Sequence, residues 1–114
     1  MTYHLAAAED WPDDASATPY HPASLTSEGF IHCTDGRDRV IETANRYYRG
    51  DPRPYLLMTI DLDLVSAKWR YDDPAEVYPH VYGPLDPEAI QAVEATRRAE
   101  DGRFLLDQEL ERGQ

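Results

Sequence analysis

Gly29-Phe30-Ile31-His32-Cys33-Thr34 is a short apolar run that closes on a histidine, a thiol and a hydroxyl, and its reading decides the fold. Phe30 and Ile31 favour a strand, and Gly29 lets the chain turn into it. A helix-compatible segment follows at once. The stretch therefore reads as a strand end at the rim of a sheet, where backbone N–H groups of a helix start are free to meet a ligand. Strand alternation puts His32 and Thr34 on one face and Cys33 on the other.

Downstream, Thr34 or Asp35 is placed to cap a helix. Val40, Ile41, Ala44, Tyr47 and Tyr48 keep the spacing of one buried helical face, which Gly50 and Pro52 bring to an end. Tyr55-Leu56-Leu57-Met58-Thr59-Ile60-Asp61 has the length and apolar content of a central strand packed on that helix. Upstream, Thr2-Tyr3-His4-Leu5 predicts a first strand, and Ala6 to Asp10 a helical turn ended by Pro12. Asp13 to Ser24 reads as a long surface loop; Tyr20 and His21, set between Pro19 and Pro22, suit a binding loop better than a flexible linker.

Beyond the central strand, Leu62 to Ala67 predicts a short turn or helix. Lys68-Trp69-Arg70-Tyr71 alternates as a strand until Asp72-Asp73-Pro74 breaks it. In the aromatic segment from Val77 to Leu85, Pro79 demands a strand start, an edge or a bulge. Pro87 to Arg98 fits neither helix nor strand period cleanly, but the hairpin-type turn at Asp101-Gly102 before Phe104-Leu105-Leu106 favours a terminal antiparallel pair. Residues 107–114 are expected to fray.

A chain of 114 residues with 41% apolar content suits one domain, spanning 1–114, around one core. The expected location is cytoplasmic: there is neither an apolar run of about 20 residues nor a signal-peptide pattern, and the single Cys33 fits a reducing compartment. A formal charge of -11 opposes non-specific binding to nucleic acid or to a membrane. Arg37, Arg39, Arg46, Arg49 and Arg53 nevertheless fall in one short segment. They read as the solvated face of a helix or as a local anion site.

The histidines, His4, His21, His32 and His80, all lie in expected strands or in the proline-flanked loop. With no helical His-x-x-x-His and no cysteine pair, no metal site is expected. His80 and Tyr82 share a face as His32 and Thr34 do. Two such pairs on neighbouring strands would make a polar, aromatic cleft suited to ribose hydroxyls, phosphate and a flat ring. Cys33, facing away from both neighbours, reads as a small buried thiol.

Nearly the whole chain resembles a bacterial family of small uncharacterised proteins, domain-of-unknown-function family 952. The resemblance is carried by Tyr3-His4, the Tyr20 to Leu25 stretch, Glu28 to Thr34, Ala44-Asn45-Arg46-Tyr47-Tyr48-Arg49-Gly50, Leu56-Leu57 with Ile60-Asp61, Tyr78 to Leu85, and Asp101-Gly102-Arg103-Phe104. It implies an α+β fold similar to the ADP-ribosyltransferases, a split and bent β-sheet with one main helix, short helical turns and a cleft for NAD. Tyr3-His4, His32 to Thr34, and Leu56 to Asp61 also resemble elements of the RNA 2′-phosphotransferase branch of that fold. By this resemblance His4 would bind a ribose and Thr34 would line the same cleft. Arg37, Arg46 and Arg70 are candidates for anion binding. Family members often carry glutamate after the tryptophan where this chain has Arg70, and Glu76 is the nearest acid downstream.

Two functions stay open on the sequence, beside a role as a small-protein partner in a toxin or stress system that no residue distinguishes. One is a transferase acting on NAD or on an ADP-ribosylated or 2′-phosphorylated substrate, with His32, His80 and Tyr82 as catalytic candidates and His4, Tyr20, Thr34, Arg37 and Arg70 as binding candidates. The other is a non-catalytic module that binds a nucleotide or small anion. Either takes a small-molecule nucleotide ligand, and NAD is the implied substrate of the first.

Overall fold

In a computed structural model, residues 1–105 are described, and the expected frayed tail and Leu106 lie outside them. The chain opens with strand β1 (Thr2–Ala7), a 3-10 turn at Ala8–Asp10, and an irregular stretch leading to the short helix α1 (Ala23–Glu28). Strands β2 (Ile31–His32) and β3 (Thr34–Asp35) precede helix α2 (Arg37–Tyr47), which is followed by β4 (Tyr55–Ile60), β5 (Trp69–Tyr71), β6 (Pro79–Val81) and β7 (Ile90–Ala95). All pairings are antiparallel, in a four-stranded sheet of order β3-β1-β4-β7 and a three-stranded sheet of order β2-β6-β5.

Alternation along β1 and β4 builds two cores. Tyr3, Leu5, Ala7, Tyr55 and Leu57 meet Val40, Ile41 and Ala44 of α2 together with Phe104. Ala6, Met58 and Ile60 point the other way, against Ile31 and Val81 of the three-stranded sheet and against Tyr20, Cys33 and Leu85. The result is three layers, α2 on one sheet and that sheet on the other. A radius of gyration of 13.9 Å, close to the ~13 Å expected for 100 residues, marks one small α+β domain. Among the described residues no helix is long and apolar enough to cross a membrane.

Several local expectations resolve differently. The expected strand from Phe30 to Thr34 is divided: His32 pairs in one sheet and Thr34 in the other, so the chain changes sheets at Cys33. Neither Thr34 nor Asp35 caps α2; the cap position is Gly36 at φ 96°, with no side-chain bond. The expected loop to Ser24 gives way to helix at Ala23, after Pro22. The terminal pair reduces to one bridge, Arg98 to Phe104, because residues 90–95 pair with β4 instead.

Candidate functional site

Three strands place His32, His80 and Arg70 in one row. His32 stands directly across from His80, and His80 from Arg70. Cross-strand partners share a face, and the two-residue period adds Phe30, Tyr82 and Asp72 to it. Ile31 and Val81, one residue out of phase, are fully buried. The row therefore occupies the outer face of the three-stranded sheet, while its inner face closes the core.

Asp72 organises this face. Its carboxylate accepts from His80 Nδ1 at 2.8 Å, from Arg70 Nε at 2.6 Å, and from the Tyr82 hydroxyl. The bond from Tyr82, ahead of those from Arg70 and His80, holds the Asp72 carboxyl down at about 2. An ionised carboxylate only accepts, so Nδ1 of His80 carries a proton and Nε2 is the nitrogen that this bond leaves open. His32 is held from the other nitrogen, Nε2 lying 3.1 Å from Glu28 Oε1 at the end of α1. Gly29, in the left-handed region at φ 87°, ends that helix and turns the chain into β2.

Aromatic packing fixes the two imidazoles. Phe30 stacks on His80 with centroids 4.1 Å apart and planes 18° from parallel, and meets His32 edge-on at 4.6 Å. The imidazole centroids are 5.3 Å apart. The Arg70 guanidinium lies 4.8 Å from the Tyr82 ring centroid and remains largely exposed. The face offers two imidazoles held through opposite ring nitrogens, beside one guanidinium. Such a set can take a proton from one oxygen, give one to another, and hold an anion.

The structure thus brings His32, His80, Tyr82 and Arg70 together. It places the other candidates elsewhere. His4 is buried in β1, with Nδ1 2.6 Å from the carbonyl of His32 and Nε2 2.9 Å from the Tyr20 hydroxyl. A carbonyl accepts only, so Nδ1 donates and Nε2 accepts from Tyr20, which leaves neither ring nitrogen for a ligand. Burial also pushes the His4 pKa down to about 4, and keeps the ring neutral. Tyr20 is itself buried, bridging to Leu85. Thr34 is buried beside Tyr3 in the other sheet. Arg37 lies on the helical side of the molecule, where it grips Glu94 at 2.8 and 2.9 Å. Glu76 sits in the turn before β6 at φ 54°, exposed.

Sequence reasoning missed Asp72, Phe30 and Glu28. Asp72 reads locally as part of a strand-breaking Asp-Asp-Pro, and Asp73 does play that part by accepting from the N–H groups of Val77 and Tyr78. The available signal was the spacing Arg70-x-Asp72, the same period that joins His80 to Tyr82. Among the described residues no group of three or more His, Cys, Asp or Glu is arranged to hold a metal ion.

A family model described as "Protein of unknown function (DUF952)" matches residues 5–93. The crystal structure of protein CC0527 from Caulobacter crescentus is similar in fold, with a TM-score of 0.73 at 21% identity, covering 96% of this chain and 97% of that one. A double mutant of the same protein gives a TM-score of 0.72 over the same shares. No curated protein matches the chain.

Proposed function

The chain belongs to the DUF952 family, and from the geometry of its outer sheet face we propose that it is a group-transfer enzyme acting on a phosphate ester of a nucleotide, such as a 2′-phosphorylated ribose. One observation carries the reading: the row His32, His80, Arg70, with Asp72 fixing the proton on His80 Nδ1. In the proposed step, His80 Nε2 takes the proton from an attacking hydroxyl or water as its oxygen bonds to phosphorus. The bond from phosphorus to the leaving oxygen breaks, and that oxygen takes a proton from His32, which enters the step protonated. Arg70 holds the non-bridging phosphate oxygens.

The same row argues against transfer from NAD itself. Nicotinamide leaves as a neutral ring and needs no acid. The oxocarbenium-like centre it leaves behind calls for an unengaged carboxylate, whereas Asp72 is taken up by three donors and the position directly across from His80 holds the cation Arg70. Asp72, rather than Glu76, is the acid that serves this face.

A second reading, a nucleotide- or anion-binding module without turnover, draws support from the open outer position of the face and from Asp72 being engaged by three donors. Incubation with a 2′-phosphorylated oligonucleotide, an ADP-ribosylated peptide and NAD, followed by mass spectrometry, decides between the readings. The transferase reading expects product from the phosphorylated substrate that disappears in His32→Ala and His80→Ala. Thermal stabilisation without product from any of them favours the module. If there is neither product nor stabilisation, both readings fall.

A further inference from the structure

Beside the row, at the edge of β5, lies a hollow of about 510 Å³, within the ~300–1,000 Å³ of small-ligand sites. Its walls are residues 65–70 and Tyr82. They are built rather than incidental. Ser66 donates its N–H (2.6 Å) and its hydroxyl (2.9 Å) to Asp86, pinning one wall. The Tyr82 N–H donates to the Lys68 carbonyl at 2.8 Å. Gly83 lets the walls meet: a Cβ there would stand 2.8 Å from that of Ala67, closer than real side chains come.

The lining chemistry is cationic and aromatic in a chain of charge -11. Lys68 is the one lysine of the sequence, and among the described residues it has no ion pair. Arg70 gives Nε to Asp72 and lays its guanidinium against Tyr82, yet its side chain stays largely exposed to a further acceptor. Trp69, 37% exposed, is among the residues that line the hollow. Tyr82 belongs to both places, its ring in the hollow and its hydroxyl on Asp72.

We propose that this hollow is the binding subsite for a nucleoside phosphate, with the phosphates on Lys68 and Arg70 and the base against Trp69. The proposal rests on the nucleotide-phosphate reading above and supplies its substrate arm. A ligand seated here has its reactive end led past Tyr82 to Asp72 and His80.

Calorimetric titration of the full chain with ADP, adenosine and inorganic pyrophosphate tests it, using Lys68→Glu, Trp69→Ala and His80→Asn, each checked for folding by circular dichroism. ADP is expected to bind more tightly than either of its parts. Lys68→Glu is expected to weaken ADP and pyrophosphate by about tenfold or more. Trp69→Ala is expected to weaken ADP and adenosine, and His80→Asn to change ADP affinity far less than Lys68→Glu does. The subsite is overturned if ADP does not bind at millimolar concentration, or binds Lys68→Glu as it binds the parent. If His80→Asn abolishes turnover while binding ignores Lys68, the subsite fails and the transferase reading stands. Binding that depends on Lys68 in a protein without turnover leaves the subsite standing and removes the transferase.

Discussion

His80 donates from Nδ1 to Asp72 across 2.8 Å, and Asp72 lies one residue beyond the strand whose Arg70 pairs with His80. This bond decides which nitrogen of His80 is free for proton transfer. Nitrogen-detected NMR of the neutral ring should show the Nδ1–H form of His80 in the parent and a mixture of forms in Asp72→Asn. Because Asp72→Asn releases the ring without removing it, turnover on a phosphorylated substrate should fall by roughly 10²-fold. An Nε2–H form in the parent would contradict the assignment.

His4 makes a pH-dependent contribution of opposite origin. Its pKa falls from 6.5 to about 4, through burial first. Between those values the unfolded chain binds a proton that the folded chain refuses, so stability rises with pH through that window and is lost as pH falls from 6.5 toward 4. At about 1.4 kcal/mol per pH unit the loss is about 3 kcal/mol. Urea unfolding of the parent and His4→Asn across pH 4–7 checks this. The stability gap between them should be widest at neutral pH and shrink toward pH 4; a gap independent of pH would exclude the buried neutral histidine.

How legible this was in the sequence depended on whether neighbours in the chain or neighbours in space carried the information. β4 was readable because both its faces are buried, giving an unbroken apolar run, and α2 because Val40, Ile41 and Ala44 repeat at helical spacing, although Tyr47 and Tyr48, expected on the same buried face, are exposed. β7 was not: residues 91–95 are exposed at a sheet edge, so their pattern carries no period. The pairing of His32 with Thr34 rested on alternation, which fails where a strand leaves one sheet for another at Cys33. His80 and Tyr82 stayed within reach of one another and were readable as a pair. Their link to Asp72 and Phe30 depends on register between strands far apart in sequence, which no local spacing encodes.

Cys33 sits at that crossing, 1% exposed, and burial pushes its thiol up to about 12. The thiolate is the reactive form. Under native conditions at pH 8 a disulfide reagent should therefore label Cys33 far more slowly than in denaturant, where the full single equivalent reacts. Rapid native labelling would show that the crossing opens and that the thiol is not held in the core.

Arg98 holds the end of the described chain to the end of α2. Its guanidinium donates to the carbonyls of Gly102, Arg53, Tyr48, Arg49 and Asp51 at 2.6–3.3 Å, and lies 4.3 Å from the Phe104 ring centroid. The turn it grips is tight: a Cβ on Gly102, at φ 90°, would stand 2.3 Å from the Arg49 carbonyl oxygen. Arg98→Ala leaves those carbonyls to water and uncovers Phe104, for an expected loss of about 2–3 kcal/mol in urea unfolding. A lysine reaches one or two of the carbonyls and lacks the planar fork, so Arg98→Lys should recover less than half of that loss. An alanine variant as stable as the parent would mean that these carbonyls are equally well served by water, and that Phe104 is held by α2 alone.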